Sequence, residues 1–75
     1  MKDDIVSSIA SEMADARVEV ALDGNRALIT VISAEFENMS RVQKQQKVYG
    51  CIDGYLADGR LHAVTIKALT PAEVE

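Results

Sequence analysis

The sequence predicts an α+β domain in which three β-strands form one mixed sheet and the helices pack on one face of it. Three observations support this fold class: apolar residues at helical spacing near the start, two strand-like segments after them, and a helical segment before a third strand. A strand–helix–strand connection makes the second and third strands parallel, with a right-handed crossover. The 75 residues are enough for one domain, which we expect to span residues 1–75.

The first segment has the pattern of an amphipathic helix. An aspartate at position 3 or 4 can cap this helix, and we expect it to end near Asp15. Its apolar side chains recur every four residues, at Ile5, Ile9 and Met13.

The next two segments predict an antiparallel hairpin. Residues 17–22 alternate between polar and apolar side chains, which is typical of a half-buried strand. The sequence Asp23-Gly24-Asn25 is a strong turn signal. Residues 27–33 are β-branched and nearly all apolar, so they suit a central strand that is more fully covered than its neighbour.

A loop with Phe36, expected to be buried under the sheet edge, leads to the longer second helix. Ser40 is placed to cap this helix. Glycines at positions 50 and 54 weaken its second half, so we expect a break or a second short helix near Gly50. The inward-facing side chains are predicted to be Val42, Tyr49, Ile52 and Leu56.

The third strand follows an Asp-Gly turn and is predicted over residues 61–68. It contains His62, the only histidine, which by alternation points the same way as Val64 and Ile66. After it, Thr70 and Pro71 have the pattern of a helix start, with threonine as N-cap and proline at the first helical position.

Composition excludes several classes of function. The net charge of −4 argues against nonspecific coating of nucleic acid, and no segment approaches the roughly 20 apolar residues of a membrane span. The lone Cys51 forms no internal disulfide and no Cys-x-x-Cys motif, which favours a reducing cytoplasm. A Cys-His nucleophile would need His62 as its base, and nothing else resembles catalytic machinery, so we predict that the chain is not an enzyme.

Two features leave alternatives open at this point. The segment from 40 to 49 contains Arg41, Lys44 and Lys47, which fit one exposed arc of a helix and form either a phosphate- or partner-binding stripe or an ordinary solvated face. His62 is either a metal ligand or a packing residue at the sheet margin.

The predicted order α-β-β-α-α-β is also that of the type II K-homology fold, which holds nucleic acid with a Gly-x-x-Gly loop between two helices. Here the nearest segment, from Gly50 to Gly54, is one residue too long and has no basic residue. Its Asp53 would repel a phosphate, so we expect this nucleic-acid grip to be absent.

Taken together, the motifs resemble those of the BolA family. The family pattern has an aromatic residue in the loop, then Ser-Arg-Val, a basic and glutamine-rich segment, and Val-Tyr. A strand with Leu-His-Ala and a Thr-Pro pair follow. In this chain the pattern is found at Phe36, Ser40–Val42, residues 44–47, Val48-Tyr49, residues 61–67 and Thr70-Pro71.

The resemblance implies a K-homology-like fold without the Gly-x-x-Gly loop. It also implies a monothiol glutaredoxin partner, with which the chain would form a heterodimer and share a bridging [2Fe–2S] cluster, the chain alone being a monomer. His62 stands where the family has its cluster ligand. Some relatives are described as regulators that bind DNA through the helix region matched here by Ser40, Arg41, Lys44 and Lys47, which makes DNA binding the alternative function.

This sequence departs from the family pattern at two positions. The family usually has a second ligand, His or Cys, in the hairpin after Asp-Gly, and here Arg26 occupies that place. Asn38 replaces a usual glycine in the loop before Ser40, a mild change because asparagine tolerates a left-handed backbone better than most residues.

Overall fold

The computed structural model describes residues 1–74 and confirms the α+β fold. The strand order is β1-β2-β3, with β1 and β2 antiparallel and β2 and β3 parallel, as the sequence predicts. The elements are α1 (Lys2–Glu12), β1 (Arg17–Asp23), β2 (Arg26–Ile32), a short 3-10 helix (Ala34–Phe36), α2 (Arg41–Ala57), β3 (Ala63–Leu69) and α3 (Pro71–Val74).

The core lies between the helices and one face of the sheet. Val20, Ile29 and Ile66 are opposite one another in register, and all three are buried. Helices α1 and α2 cover them with apolar side chains that include Ile5, Ile9 and Ile52. Phe36 is fully buried, as expected, and is the one aromatic side chain in the buried part of the core among residues 1–74. Burial of aliphatic side chains therefore provides most of the stabilisation.

Helix α1 differs from its prediction at both ends. Its N-cap is Met1, which makes no side-chain capping hydrogen bond. Asp3 and Asp4 lie in the first turn, where their negative charges interact favourably with the positive end of the helix dipole. The helix ends at Glu12 rather than near Asp15. The shorter helix leaves the Asp15 side chain available for contacts outside α1.

Asp15 connects the loop after α1 to the end of β2. Its Oδ1 accepts a hydrogen bond from the Ser33 hydroxyl at 2.7 Å, and its Oδ2 accepts one from the Ala34 amide at 2.9 Å. The Ser33 oxygen accepts a third hydrogen bond, from the Glu35 amide at 3.1 Å. The bond from Ser33, then that from Ala34, lowers the pKa of Asp15 below its ordinary value of 3.8.

Helix α2 is continuous, so the predicted break near Gly50 is wrong. Buried Val48 and Ile52 hold this part of the helix against the core, and such packing overrides the low helix propensity of glycine. The predicted inward position of Val42 is also wrong, because its side chain is 62% exposed. Tyr49, expected to point inward as well, is 36% exposed.

The predicted helix starts at Ser40 and Thr70 are both confirmed. The Ser40 hydroxyl accepts from the Gln43 amide at 3.2 Å, and the Gln43 side chain accepts from the Ser40 amide at 2.9 Å, which is a capping box. At the second start, the Glu73 carboxylate accepts from the Thr70 amide at 2.9 Å and Pro71 is the first residue of α3.

Candidate functional site

His62 lies immediately before β3 and is exposed. The prediction that the strand begins at residue 61 is wrong, because its ladder with β2 begins at Ala63. The His62 amide nevertheless donates a hydrogen bond of 2.8 Å to the Asn25 carbonyl, which also accepts a longer one of 3.4 Å from Ala63. Leu61, 1% exposed, anchors the segment in the core. The backbone of His62 is therefore fixed while its side chain remains at the surface.

The turn of the β1–β2 hairpin lies next to this histidine. Arg26 is opposite Asp23 in the antiparallel pair and opposite Ala63 in the parallel pair. The structure thus places two positions of the family pattern at the same end of the sheet: His62, the expected ligand, and Arg26, which replaces the second ligand. This juxtaposition follows from the parallel register and could not be read from the sequence spacing.

The chemistry of these two side chains is unequal. A neutral imidazole nitrogen can donate a lone pair to a metal, whereas a guanidinium has no lone pair to give. Within residues 1–74, no group of three His, Cys, Asp or Glu side chains is close enough together to hold a metal ion. The described part of the chain therefore offers a single imidazole at this end of the sheet.

An arginine that sequence reasoning did not single out lies on the segment that leads to His62. The Arg60 guanidinium lies over the Tyr55 ring, with 4.3 Å from its central carbon to the ring centroid. Its Nε donates to the Asp58 carboxylate at 2.7 Å, and the next residue, Leu61, donates its amide to the Tyr55 carbonyl at 3.1 Å. These contacts join the end of α2 to the residues before His62. The Asp-Gly turn signal marks this segment, but the stacking of Arg60 has no signature in the sequence.

The basic stripe on α2 is partly neutralised. Lys44 forms a salt bridge of 3.2 Å with Glu73, and Lys47 forms one of 3.8 Å with Glu35. Both acids come from other parts of the chain, so the sequence of α2 alone gave no sign of them. Arg41 has no salt bridge among residues 1–74. The stripe therefore presents less positive charge to an anion than its three residues suggest.

Ser40, the other residue assigned to this stripe, is used by the capping box of α2. Its hydroxyl oxygen already accepts a hydrogen bond from the backbone. The structure gives it a structural role in starting the helix, and this role would persist whether or not the stripe binds a partner.

Cys51 is partly buried on α2. Its thiol donates a hydrogen bond of 3.4 Å to the Lys47 carbonyl. Burial, followed by the nearby negative charge of Glu12, raises the pKa of Cys51 above its ordinary value. The thiol is therefore protonated near neutral pH, which disfavours a role as nucleophile or metal ligand.

The family of this chain follows from comparison with known proteins. A sequence profile for the BolA-like protein family matches residues 9–73. The chain belongs to the BolA-like family. Among curated relatives, it is 44% identical to the acid stress protein IbaG of Escherichia coli K12 over 70 residues, covering 93% of this chain and 83% of the relative. It is 37% identical over 59 residues to an uncharacterised protein of Acinetobacter guillouiae, covering 79% and 71% of the two chains.

Solved BolA structures have the same fold. BolA1 from Arabidopsis thaliana superposes with a TM-score of 0.84 at 24% identity, covering 96% of this chain and 93% of that one. A bolA homologue from Coxiella burnetii superposes with a TM-score of 0.79 at 25% identity, covering 99% and 95%. Among the residues described for this BolA-like chain, no helix is long and apolar enough to span a membrane.

Proposed function

We propose that this BolA-like chain is a non-enzymatic adaptor that binds a monothiol glutaredoxin in the cytoplasm and takes part in the assembly or trafficking of [2Fe–2S] clusters. The observation that supports it best is His62, an exposed imidazole whose backbone is fixed by the Asn25 carbonyl at 2.8 Å. An exposed ligand on a fixed backbone can coordinate a metal held mainly by a partner.

The donor set fits a shared cluster better than one held by this chain alone. His62 supplies one lone pair, and Arg26 at the hairpin supplies none. In this proposal the glutaredoxin and its glutathione provide the remaining ligands, and the cluster is the cargo that passes between the two proteins. The chain contributes an orienting surface and one imidazole, and it catalyses no reaction of its own.

DNA binding, the alternative function, is not favoured by any contact in the structure. Two of the three cations of the stripe are paired with acids, and the chain carries a net charge of −4. A protein that neutralises several phosphates normally presents unpaired Lys and Arg side chains along one surface. The adaptor function is therefore the one we propose.

Visible circular dichroism of the chain mixed with a cluster-loaded monothiol glutaredoxin tests the proposal. We expect the wild-type chain to change the cluster spectrum and His62→Ala to abolish or alter that change. The matched control is Gln46→Ala, an exposed substitution on α2, which should behave as the wild type. If the wild-type chain leaves the spectrum unchanged, the adaptor function is wrong. An identical change with His62→Ala would remove His62 from the ligands.

A further inference from the structure

The two edge strands of the sheet, β1 and β3, differ in whether other parts of the chain bond to their outward-pointing backbone groups. The Asn25 carbonyl accepts a hydrogen bond from the Ala63 amide, and the Ser33 amide donates one to the Leu69 carbonyl. The backbone amides and carbonyls of the odd-numbered residues of β2 therefore point toward β3. In β3, the backbone amides and carbonyls of the even-numbered residues therefore point away from β2, toward the open edge. Two of their carbonyls are covered by α2, because Gln45 donates to Ile66 at 2.9 Å and Tyr49 donates to Val64 at 3.3 Å.

The β1 edge has no such cover. Because the odd-numbered residues of β2 face β3, its even-numbered residues bond to β1, and their partners in register are odd-numbered. The residues of β1 whose backbone amides and carbonyls point away from β2 are thus Val18, Val20 and Leu22. Within residues 1–74 no hydrogen bond outside the β1–β2 ladder engages their amides or carbonyls. An unpaired strand edge of this kind is a template for another strand.

The surface beside this edge has room for a strand. A groove of about 410 Å³ runs there, lined by Val18 to Ala21 of β1 and by Lys2 and Val6 of α1, among others. Lys2 is exposed, so its flexible side chain can move aside. At the end of the strand Leu22 is 36% exposed and lacks full apolar cover.

We propose that two copies of this chain associate by antiparallel pairing of their β1 strands, which joins the two sheets into one. The register is decided by charge. With Val20 opposite Val20 of the second copy, Arg17 faces Asp23 twice across the interface, and Val18 covers the exposed Leu22. Opposite charges at directly paired positions stabilise a strand pair.

The neighbouring registers are disfavoured by the same rule. The outward hydrogen-bonding pattern requires even-numbered residues to pair with even-numbered ones, so the alternatives are limited. Shifting one way places Glu19 opposite Glu19 of the second copy. Shifting the other way places Glu19 opposite Asp23. Both arrangements put like charges directly opposite each other, which destabilises the pair. Of these three registers, only the symmetric pairing centred on Val20 avoids this. Pairings centred on Val18 or on Leu22 also avoid it, but they pair only residues 17–19 or 21–23 of the strand, whereas the pairing centred on Val20 uses all of Arg17–Asp23.

This interface goes beyond the adaptor function and differs from the expectation, implied by the family resemblance, that the chain alone is a monomer. It uses neither the His62 nor the Arg26 side chain. Asp23 lies opposite Arg26 in the β1–β2 pair, but Arg17, the residue varied in the first test, is at the far end of β1. Self-association can thus fail while glutaredoxin binding succeeds, and the reverse also holds.

Sedimentation velocity over a range of protein concentrations tests the proposal. We expect a reversible monomer–dimer equilibrium for the wild type and at least about a tenfold weaker dimer for Arg17→Glu, since both cross-strand charge pairs become repulsive. The matched control is Arg41→Glu, which makes the same charge change on α2 and should leave the equilibrium unchanged. A wild-type chain that remains monomeric at about 1 mM would overturn the proposal and leave this edge to a strand of another protein.

A mixture of two charge variants tests the register. Arg17→Glu and Asp23→Arg should each dimerise poorly alone, but together they restore both opposite-charge pairs, so native mass spectrometry should show the mixed dimer in excess. Failure of the mixed dimer to form, with both variants folded by circular dichroism, would overturn the register. If Asp23→Arg does not fold, the comparison of Arg17→Glu with Arg41→Glu still decides the proposal.

Discussion

At the scale of single residues, Arg26 distinguishes this chain from the family pattern. The structure places it beside the strand that His62 precedes, at the position where the pattern has a metal ligand. A guanidinium stays protonated at any working pH, so it cannot take over this role. It can instead pair with a carboxylate of glutaredoxin or glutathione through charge-assisted hydrogen bonds. On the proposed function, the shared cluster has one ligand fewer from this side.

We therefore predict that Arg26→His slows the loss of the shared cluster to a chelator, because it adds an imidazole beside His62. The free energy of unfolding should change by no more than about 0.5 kcal/mol, since the residue is exposed. The decay of visible absorbance after chelator addition measures the effect.

Lys67→His is the matched control, because Lys67 is an exposed cation of β3 that lies opposite Thr30, away from the hairpin turn. It should leave the decay unchanged. An unchanged decay for Arg26→His as well would mean that the hairpin does not reach the cluster.

At the scale of elements, helix α2 shows packing overriding local propensity. Gly50 lies in the middle of a continuous helix, and a Cβ added there would have no other atom within 4 Å. We predict that Gly50→Ala raises the free energy of unfolding by about 0.5–1 kcal/mol, because alanine loses less backbone entropy on folding. Urea unfolding followed by far-UV circular dichroism measures this change.

Gly24→Ala is the contrasting variant. Gly24 also has open space around it, but its φ of +61° lies in the left-handed region that alanine adopts at a cost. It should lower the free energy of unfolding. Stabilisation by both substitutions, or by neither, would contradict this account of the two glycines.

At the scale of the whole molecule, two exposed carboxylates connect elements that are distant in the sequence. Asp15 ties the start of β1 to the 3-10 helix, and Glu73 ties α3 to α2 through Lys44. Hydrogen bonds that the carboxylate accepts from the Thr70 amide, and then from Lys44, lower the pKa of Glu73 below its ordinary value of 4.5. Since both carboxylates have a lower pKa in the folded chain, their stabilisation is complete above these ordinary values and is lost as the pH falls below them.

We predict that the free energy of unfolding decreases as the pH falls below about 4.5, and that Asp15→Asn reduces this dependence. The variant should be less stable than the wild type at pH 7, and the difference between the two should shrink as the pH falls below 3.8. Urea unfolding at a series of pH values measures both effects. The control is Glu37→Gln, an exposed acid in the same loop region, which should retain the wild-type dependence; parallel curves for Asp15→Asn and the wild type would contradict the prediction.

The predictable part of this fold is the part encoded locally. Turn residues, alternation and caps correctly predicted the hairpin, the crossover and the starts of α2 and α3. The left-handed backbone of Asn38 (φ 68°) likewise agrees with its expected place in the loop. The errors came from tertiary contacts. Helix α2 runs through Gly50 because its buried face holds it, and β3 begins after His62 because the ladder with β2 sets the boundary. The salt bridges of Lys44 and Lys47 with distant acids were invisible for the same reason.

The hydrogen bond between His62 and Asn25 also links the candidate site to the order of folding. The β1–β2 hairpin can close locally, but the contact of its turn with His62 closes a loop that contains β2, the 3-10 helix and the whole of α2. Closing such a loop costs chain entropy before the parallel pairing repays it, so this contact belongs to a late stage of folding. A newly made or partly unfolded chain therefore holds its histidine apart from the hairpin. Only the finished fold brings the two together, so on the proposed function the surface that would meet a partner beside His62 is complete only in the folded chain.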